Sequence, residues 1–394
     1  MPLASNLLAD VPSRHHPIHV AMITQGYLPL LGGAERQIAA LAPLLKERGI
    51  NVHVITRRYS GLKSFETIQG VPVHRLPTLR TKALSSFMFT IRAIPLIRSL
   101  RPHIIHAHGL LSPTTTAVAA KRVFGIPVVS KSLRGGILGD LTRLTNGPLG
   151  HQRFQTFQKH VDAFITISNE IEHELIEKGI SPKRCVFIPN GVKLDEFQPV
   201  DIHKKRLLRK ELQLPEGPLA IFAGRLENEK RVGDLIQVWH LIRQQYADAN
   251  LLILGTGSQE AKLKQMATEG VLFGGAVKHV APYLQTADVF VLPSVAEGLS
   301  NALLEALATG VPVIVTATGG TTDIVRHKVS GWLIRDYESK ALLEGILAFL
   351  GNQALREQCA SEGRRYVLQN YSLINTADNL YKLYNNVLFQ KVKA

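Results

Sequence analysis

The run Ala287-Asp288-Val289-Phe290-Val291-Leu292-Pro293-Ser294 leads directly into Val295-Ala296-Glu297-Gly298-Leu299-Ser300-Asn301-Ala302-Leu303-Leu304-Glu305-Ala306-Leu307-Ala308-Thr309-Gly310. A continuous apolar segment ended by proline reads as a parallel strand buried on both faces. Ser300 and Asn301 are good helix caps, the Ala/Leu run continues a helix, and Gly310 stops it. This is a strand, a loop and a helix whose N-terminus opens toward the strand's end.

Two carboxylates bracket that N-terminus. Glu297 and Glu305 are expected roughly 12 Å apart along the axis, wider than the roughly 5 to 9.5 Å of a glycosidase acid/base pair. The spacing suits a ligand with hydroxyls at both ends and an anion between them. Amides at Gly298, Leu299, Ser300 and Asn301 would receive that anion with the help of the helix dipole. The same residues also read as an ordinary amphipathic helix with one Glu at its start and one on its exposed face.

Short β-rich runs alternating with helix-length segments recur on both sides of this unit, the pattern of doubly wound parallel sheets. In the first half they are Ile18 to Thr24, Val52 to Thr56, Val71 to Leu76, His103 to His106, Pro127 to Ser130, Ala163 to Ile167 and Val186 to Ile188. Leu219 to Arg225, Leu251 to Leu254, Val271 to Gly275 and Val311 to Val315 continue it. Ligands of such sheets sit beyond the carboxyl ends of the strands. His108 is therefore a candidate catalytic residue in a cleft, whereas His106 reads as packed or solvated. Lys131 and Arg134 follow another strand end and are candidates for a phosphate or an acidic acceptor; they also read as solvated loop charges. Gly32 and Gly33 open a helix predicted at Ala34 to Arg48, kinked at Pro43. Gly255 and Gly257 form a Gly-x-Gly that lacks the third dinucleotide glycine.

Taken together, Gly32-Gly33-Ala34-Glu35, Pro189-Asn190-Gly191-Val192, Gly224-Arg225-Leu226 with Lys230, Gly255-x-Gly257, Glu297/Glu305 and Gly319-Gly320 stand in an order that resembles the GT4 family of retaining glycosyltransferases. The resemblance implies a GT-B fold, two Rossmann-like domains facing a cleft, with a C-terminal helix crossing back to the first. It implies an N-terminal acceptor domain at 1–200, a nucleotide-sugar domain at 201–378 and a returning helix at 379–394. Arg225 and Lys230 would hold the donor diphosphate, Glu297 the transferred sugar and Glu305 the ribose. The chain departs from the family pattern in three places: Ser132-Leu133-Arg134 stands where many members carry a His, Lys193 where an Asp is usual, and Asp323 where a Glu is common. Two cations on a leaving diphosphate would make a metal unnecessary, so no cofactor is expected. Expected partners are a UDP- or GDP-sugar and a saccharide or lipid-linked acceptor in glycan or polysaccharide synthesis. A GT-B epimerase or phosphorylase, or a basic membrane or nucleic-acid binder without catalysis, are the alternatives; no aromatic-interleaved basic motif favours nucleic acid.

With 394 residues, two domains are expected. No apolar run reaches the length of a membrane span, and residues 1–17 do not read as a signal peptide. Cys185 and Cys359 form no ligand motif, which suggests a reduced cytoplasm and no structural metal. Charge is uneven: residues 1–200 hold 24 Lys/Arg against 12 Asp/Glu, the remainder 22 against 19. Within Leu79 to Leu100, Arg80, Lys82, Arg92 and Arg98 are mixed with Phe87, Met88, Phe89 and Ile91. The segment is expected as two short helices divided at Pro95. They either cover a sheet or lie on an anionic membrane face.

Overall fold

The computed structural model describes residues 17–30, 32–78, 82–335 and 338–393. Eight strands form the first sheet: β1 (Ile18–Ile23), β2 (Ile50–Arg58), β3 (Phe65–Ile68), β4 (Val71–Pro77), β5 (Ile104–His108), β6 (Val128–Lys131), β7 (Ala163–Thr166) and β8 (Cys185–Phe187). Their order is β3-β4-β2-β1-β5-β6-β7-β8, and all pair in parallel except β3, which runs antiparallel to β4 at the edge. The second sheet has β9 (Leu219–Ala223), β10 (Asn250–Leu254), β11 (Val271–Gly275), β12 (Val289–Leu292), β13 (Val313–Thr316) and β14 (Trp332–Ile334). Its order is β11-β10-β9-β12-β13-β14, parallel throughout. Helices cover both sheets, so the central strands carry no solvent face: β5, β6, β7, β9, β12 and β13 are buried along their whole length. This is the two-lobed α/β architecture that the sequence implies.

In each sheet the chain reverses its direction of growth at one place. β1 lies between β2 and β5, and β9 lies between β10 and β12. Loops leaving β1 and β5, or β9 and β12, must diverge there and leave a crevice at the strand ends. All four loops contribute to the cleft between the lobes.

Two chain segments tie the lobes together on the opposite side. The helix Leu373–Lys393 presents Leu373, Ala377, Leu380, Tyr384 and Val387, a helical stripe, to Val20, Ile38, Leu41 and Leu45 of the first lobe. It begins before residue 379, after a break from the helix Gln353–Asn370. The break has a local cause: Val192 donates to the Tyr371 carbonyl (2.9 Å) and accepts from Leu373 N–H (3.0 Å), so the outgoing connector threads the gap. A Cβ on Gly191 would lie 2.5 Å from Leu373 Cα, which explains the glycine at this crossing.

The expectation of two short helices at 79–100 is corrected. Lys82–Leu100 is a single helix with Pro95 inside it. Burial of Phe89, Ala93 and Ile97 on one face compensates for the bond that proline cannot make. Residues 79–81, Arg80 among them, lie outside the described residues. Gly33–Glu47 likewise continues through Pro43.

Candidate active site

Ser300 caps the helix Asn301–Ala308 through its hydroxyl, which accepts from Leu303 N–H at 3.3 Å. The helix mouth then faces a cleft of about 610 Å³ between the lobes. Of the residues picked out by sequence, Gly32, Gly33, His108, Lys131, Arg134, Arg225, Lys230, Gly255, Glu297, Gly298, Leu299, Ser300, Asn301 and Glu305 all line it. Gly257 does not. A Cβ there would overlap the Leu226 carbonyl, so this glycine supports the back of the loop that carries Arg225.

At the centre, Lys230 donates from Nζ to Glu297 Oε1, both side chains about nine-tenths buried. The cation comes from the turn after β9 and the carboxylate from the loop after β12. Their meeting neutralises two charges that would otherwise lack a counterion in a desolvated place. Arg225 is half exposed and lies 3.5 Å from Glu229, which also meets Arg134 of the other lobe at 3.6 Å. Both arginines therefore lean on one carboxylate across the cleft mouth.

The lobes approach closely at a glycine: a Cβ on Gly298 would overlap the Leu133 carbonyl of the first lobe. Within the second lobe, a Cβ on Gly319 would overlap the Glu297 carbonyl. Gly320 N–H donates to the Gly298 carbonyl at 2.6 Å, fixing the loop that carries Glu297. On the helix side, amide groups join the lobes. Asn301 donates to the Gly33 carbonyl (3.1 Å), and Asn190 donates to the Leu299 carbonyl and to Asn301 Oδ1 (3.0 Å each). Gln37 donates to Asn301 Oδ1 (3.2 Å) and to the Gly191 carbonyl (2.7 Å). Farther out, Asp323 accepts from the backbone N–H and the side-chain amide of Asn169, 2.9 Å each.

His106 and His108 sit on the same face of β5, with rings 4.1 Å apart. His106 is fully buried, its Nδ1 2.7 Å from the Tyr384 hydroxyl on the returning helix, and burial drives its pKa down to about 3. His108 is likewise pushed well below the usual histidine range by burial and then by His106 and Lys131. Both imidazoles are neutral at physiological pH, and His108 Nε2 has no hydrogen-bond partner. Lys131, lowered by burial to about 8, donates to Asn190 Oδ1 at 2.9 Å. Glu305 sits deeper along the helix, where desolvation pushes its carboxyl up to about 7 against the opposing pull of Arg36.

Sequence reading missed several contributors. Asp140 is buried and accepts from Leu133 N–H (3.0 Å) and Leu110 N–H (3.4 Å), bracing two cleft loops; burial raises its pKa. Glu229 and Gln37 carry no signal in the sequence, and Asn190, there only part of the Pro189-Asn190-Gly191-Val192 motif, reaches Lys131, Leu299 and Asn301. Ala276 and Val277, after β11, add an apolar wall. Among the described residues, no group of three or more His, Cys, Asp or Glu is arranged to hold a metal ion, and no helix is long and apolar enough to cross a membrane.

With this geometry in place, comparison with known proteins decides the family. Residues 31–196 match Glycosyltransferase Family 4 and residues 204–366 match Glycosyl transferases group 1. The chain belongs to this glycosyltransferase family. It is 28% identical to the putative teichuronic acid biosynthesis glycosyltransferase TuaC of Bacillus subtilis, over 82% of each protein. To the UDP-Gal:alpha-D-GlcNAc-diphosphoundecaprenol alpha-1,3-galactosyltransferase of Escherichia coli it is 24% identical, over 96% of this chain and all of that one. The solved structure of Anabaena Alr3699/HepE in complex with UDP-glucose superposes with a TM-score of 0.78 at 18% identity, covering 94% of this chain and all of that one. Its fold and that of this glycosyltransferase are the same GT-B arrangement, and the enzyme is a transferase of glycosyl groups.

Proposed function

We propose that this glycosyltransferase moves a sugar, with retention of anomeric configuration, from a nucleotide-diphosphate sugar to an acceptor hydroxyl in polysaccharide or glycolipid assembly. The observation that carries the reading is the meeting of Lys230, Glu297 and the helix mouth at Gly298 to Asn301 inside one cleft, with Arg225 at its edge. The relatives named for teichuronic acid synthesis and for a diphosphoundecaprenol-linked acceptor support the biosynthetic setting.

The diphosphate fits between Arg225, Lys230 and the helix-mouth amides. As the bond from anomeric carbon to phosphate oxygen breaks, charge builds on the departing nucleotide diphosphate. Preorganised cations and amides stabilise that charge more than the ground state. The acceptor oxygen bonds to the anomeric carbon from the face the diphosphate leaves, and its proton passes to a donor phosphate oxygen. Glu297 orients the sugar hydroxyls, Glu305 accepts from the ribose, and His108 lines the sugar end of the cleft as a neutral imidazole. The cations supply the charge stabilisation, so the reaction as proposed uses no metal. UDP- and GDP-sugars are the favoured donors.

The exposed stripe Leu84, Phe87 and Ile91 with Arg92 and Arg98 on the helix Lys82–Leu100 supports a peripheral place on an anionic membrane face. A thermal-shift panel of UDP-, GDP- and ADP-sugars tests the donor reading. One donor should stabilise the wild type and stabilise Glu305→Ala much less; silence across the panel would overturn it. Retention is read from the anomeric proton of the first product formed.

A further inference from the structure

The first lobe brings to the cleft a carboxylate that the proposed mechanism leaves unused. Four carboxylates line the cleft among the described residues: Glu297 and Glu305 from the second lobe, Glu35 and Asp140 from the first. Glu35 is folded back on its own loop, where a Cβ on Gly32 would overlap its Oε2 and one on Gly26 would lie 3.3 Å from its Oε1. The two oxygens of Asp140 stand in different situations. Oδ2 accepts from Leu133 N–H (3.0 Å), after β6, and from Leu110 N–H (3.4 Å), after β5. The chain reaches Leu110 through a turn at Gly109, whose φ of +106° few side chains tolerate. Oδ1 bonds to no described residue and is not among the fully enclosed unpaired atoms, so it opens on the cleft. With one oxygen held by two amides, the direction of the other is set before any ligand arrives.

This oxygen lies beside the donor groups. Leu133, whose N–H holds Asp140, presents its carbonyl to Gly298, the residue after Glu297. That chain of contacts puts Oδ2 no more than about 11 Å from the Gly298 α-carbon. Burial raises the pKa of Asp140, while the two amides and then Arg143 and Arg134 favour its charged form. An ionised carboxylate only accepts, so the ligand group at Oδ1 must be a hydrogen donor. The two arginines would repel a cationic donor. A neutral hydroxyl is left, and a sugar carries several.

We propose that Asp140 Oδ1 accepts from a hydroxyl of the acceptor sugar other than the one that attacks, and so selects which hydroxyl faces the anomeric carbon. The assignment rests on the transferase reading, because it names the residue that orients the acceptor in that reaction.

The test measures glycoside binding to the full chain by saturation-transfer NMR, with and without UDP, GDP or ADP. The probes are the methyl glycosides of glucose, galactose, mannose and N-acetylglucosamine, with their monodeoxy forms. At least one should bind the wild type. Asp140→Asn keeps an oxygen for the two amides and should melt like wild type, yet its dissociation constant for that glycoside should rise about tenfold. Asp140→Ala leaves both amides unpaired; it should melt several degrees lower and bind no more tightly than Asp140→Asn. One monodeoxy form should bind the wild type about tenfold more weakly than its parent, and Asp140→Asn no more weakly still, the non-additivity of two changes to one contact. A wild type that takes none of the glycosides, an Asp140→Asn protein that binds them like wild type or melts as low as Asp140→Ala, or deoxy and Asp140→Asn losses that simply add would each overturn the proposal. If no nucleoside diphosphate raises the wild-type melting temperature while glycoside binding still depends on Asp140, the donor reading falls and this one stands. A nucleotide response with glycoside binding indifferent to Asp140 sinks this proposal alone.

Discussion

If Glu305 accepts from the donor ribose as proposed, donor binding has a pH dependence that can be worked out in advance. Its carboxyl, raised to about 7 by desolvation, must be ionised to accept hydrogen bonds from both ribose hydroxyls. With that pKa, roughly 90% of the group is charged at pH 8 and about 3% at pH 5.5. If the carboxylate alone binds ribose, affinity should fall about thirtyfold over this range, about 2 kcal/mol. The phosphates of a nucleoside diphosphate titrate in the same window, so the informative quantity is the difference between wild type and Glu305→Gln, measured by calorimetry at several pH values. The difference should be large at pH 8 and nearly vanish at pH 5.5. Stability moves the opposite way in the empty protein. A carboxyl raised in the folded state favours folding while protonated, and this contribution is lost as pH rises from the unfolded value through about 7. Glu305→Gln should therefore melt higher than wild type at pH 8 and no higher near pH 4. Parallel binding profiles for the two proteins, or a melting advantage that grows toward acid, would refute the assignment.

Three further perturbations follow from the same geometry. Gly298→Ala places a methyl well inside 3.0 Å of the Leu133 carbonyl, so the lobes must separate by roughly 1 Å; kcat/KM should fall about a hundredfold with unchanged circular dichroism. Glu297→Gln leaves Lys230 buried without its counterion, destabilising the empty protein by about 3 to 5 kcal/mol in urea titration. Because Lys230 is then free for phosphate, a nucleoside diphosphate should raise its melting temperature more than it raises that of wild type, while sugar transfer is lost. Tyr384→Phe removes the partner of buried His106 and should cost about 1 kcal/mol in urea unfolding, with little change in KM for the donor.

Much of this fold could be read in advance because buried parallel strands leave uninterrupted apolar runs, such as Val289 to Leu292 and Val313 to Val315. β3 escaped notice because it is a short antiparallel edge strand with an alternating face and an exposed Phe65. β14 is three residues long and offers too little pattern. Pro95 misled because a local rule was outweighed by burial of Phe89, Ala93 and Ile97. At the site, residue types at strand ends identified the groups facing the cleft, but the partners of those groups were hidden. Asn190 and Asn301 are 111 residues apart, and Lys230 and Glu297 are 67 apart. No local signal encodes such pairs; they exist only once two βα units have been brought face to face.

Partner chemistry divides the cleft into two kinds of contact. Along the helix side the lobes are joined by neutral amides: Gln37, Asn190 and Asn301 donate to carbonyl oxygens or to one another. Across the mouth the contacts are ionic and looser, with one carboxylate, Glu229, shared by Arg134 and Arg225 at 3.6 and 3.5 Å. Amide bonds inside a closed seam are little affected by an arriving anion. The shared carboxylate, in contrast, holds two guanidinium groups that a diphosphate would bind more strongly, with more oxygens and more charge. A donor that enters the mouth thus competes only with Glu229 and with the Glu297 contact to Lys230, and leaves the seam intact. Under the proposed mechanism, the amide seam holds the lobes in register while the charged groups at the mouth, Arg134, Arg225, Lys230 and their carboxylate partners, are the ones that exchange contacts with the ligand.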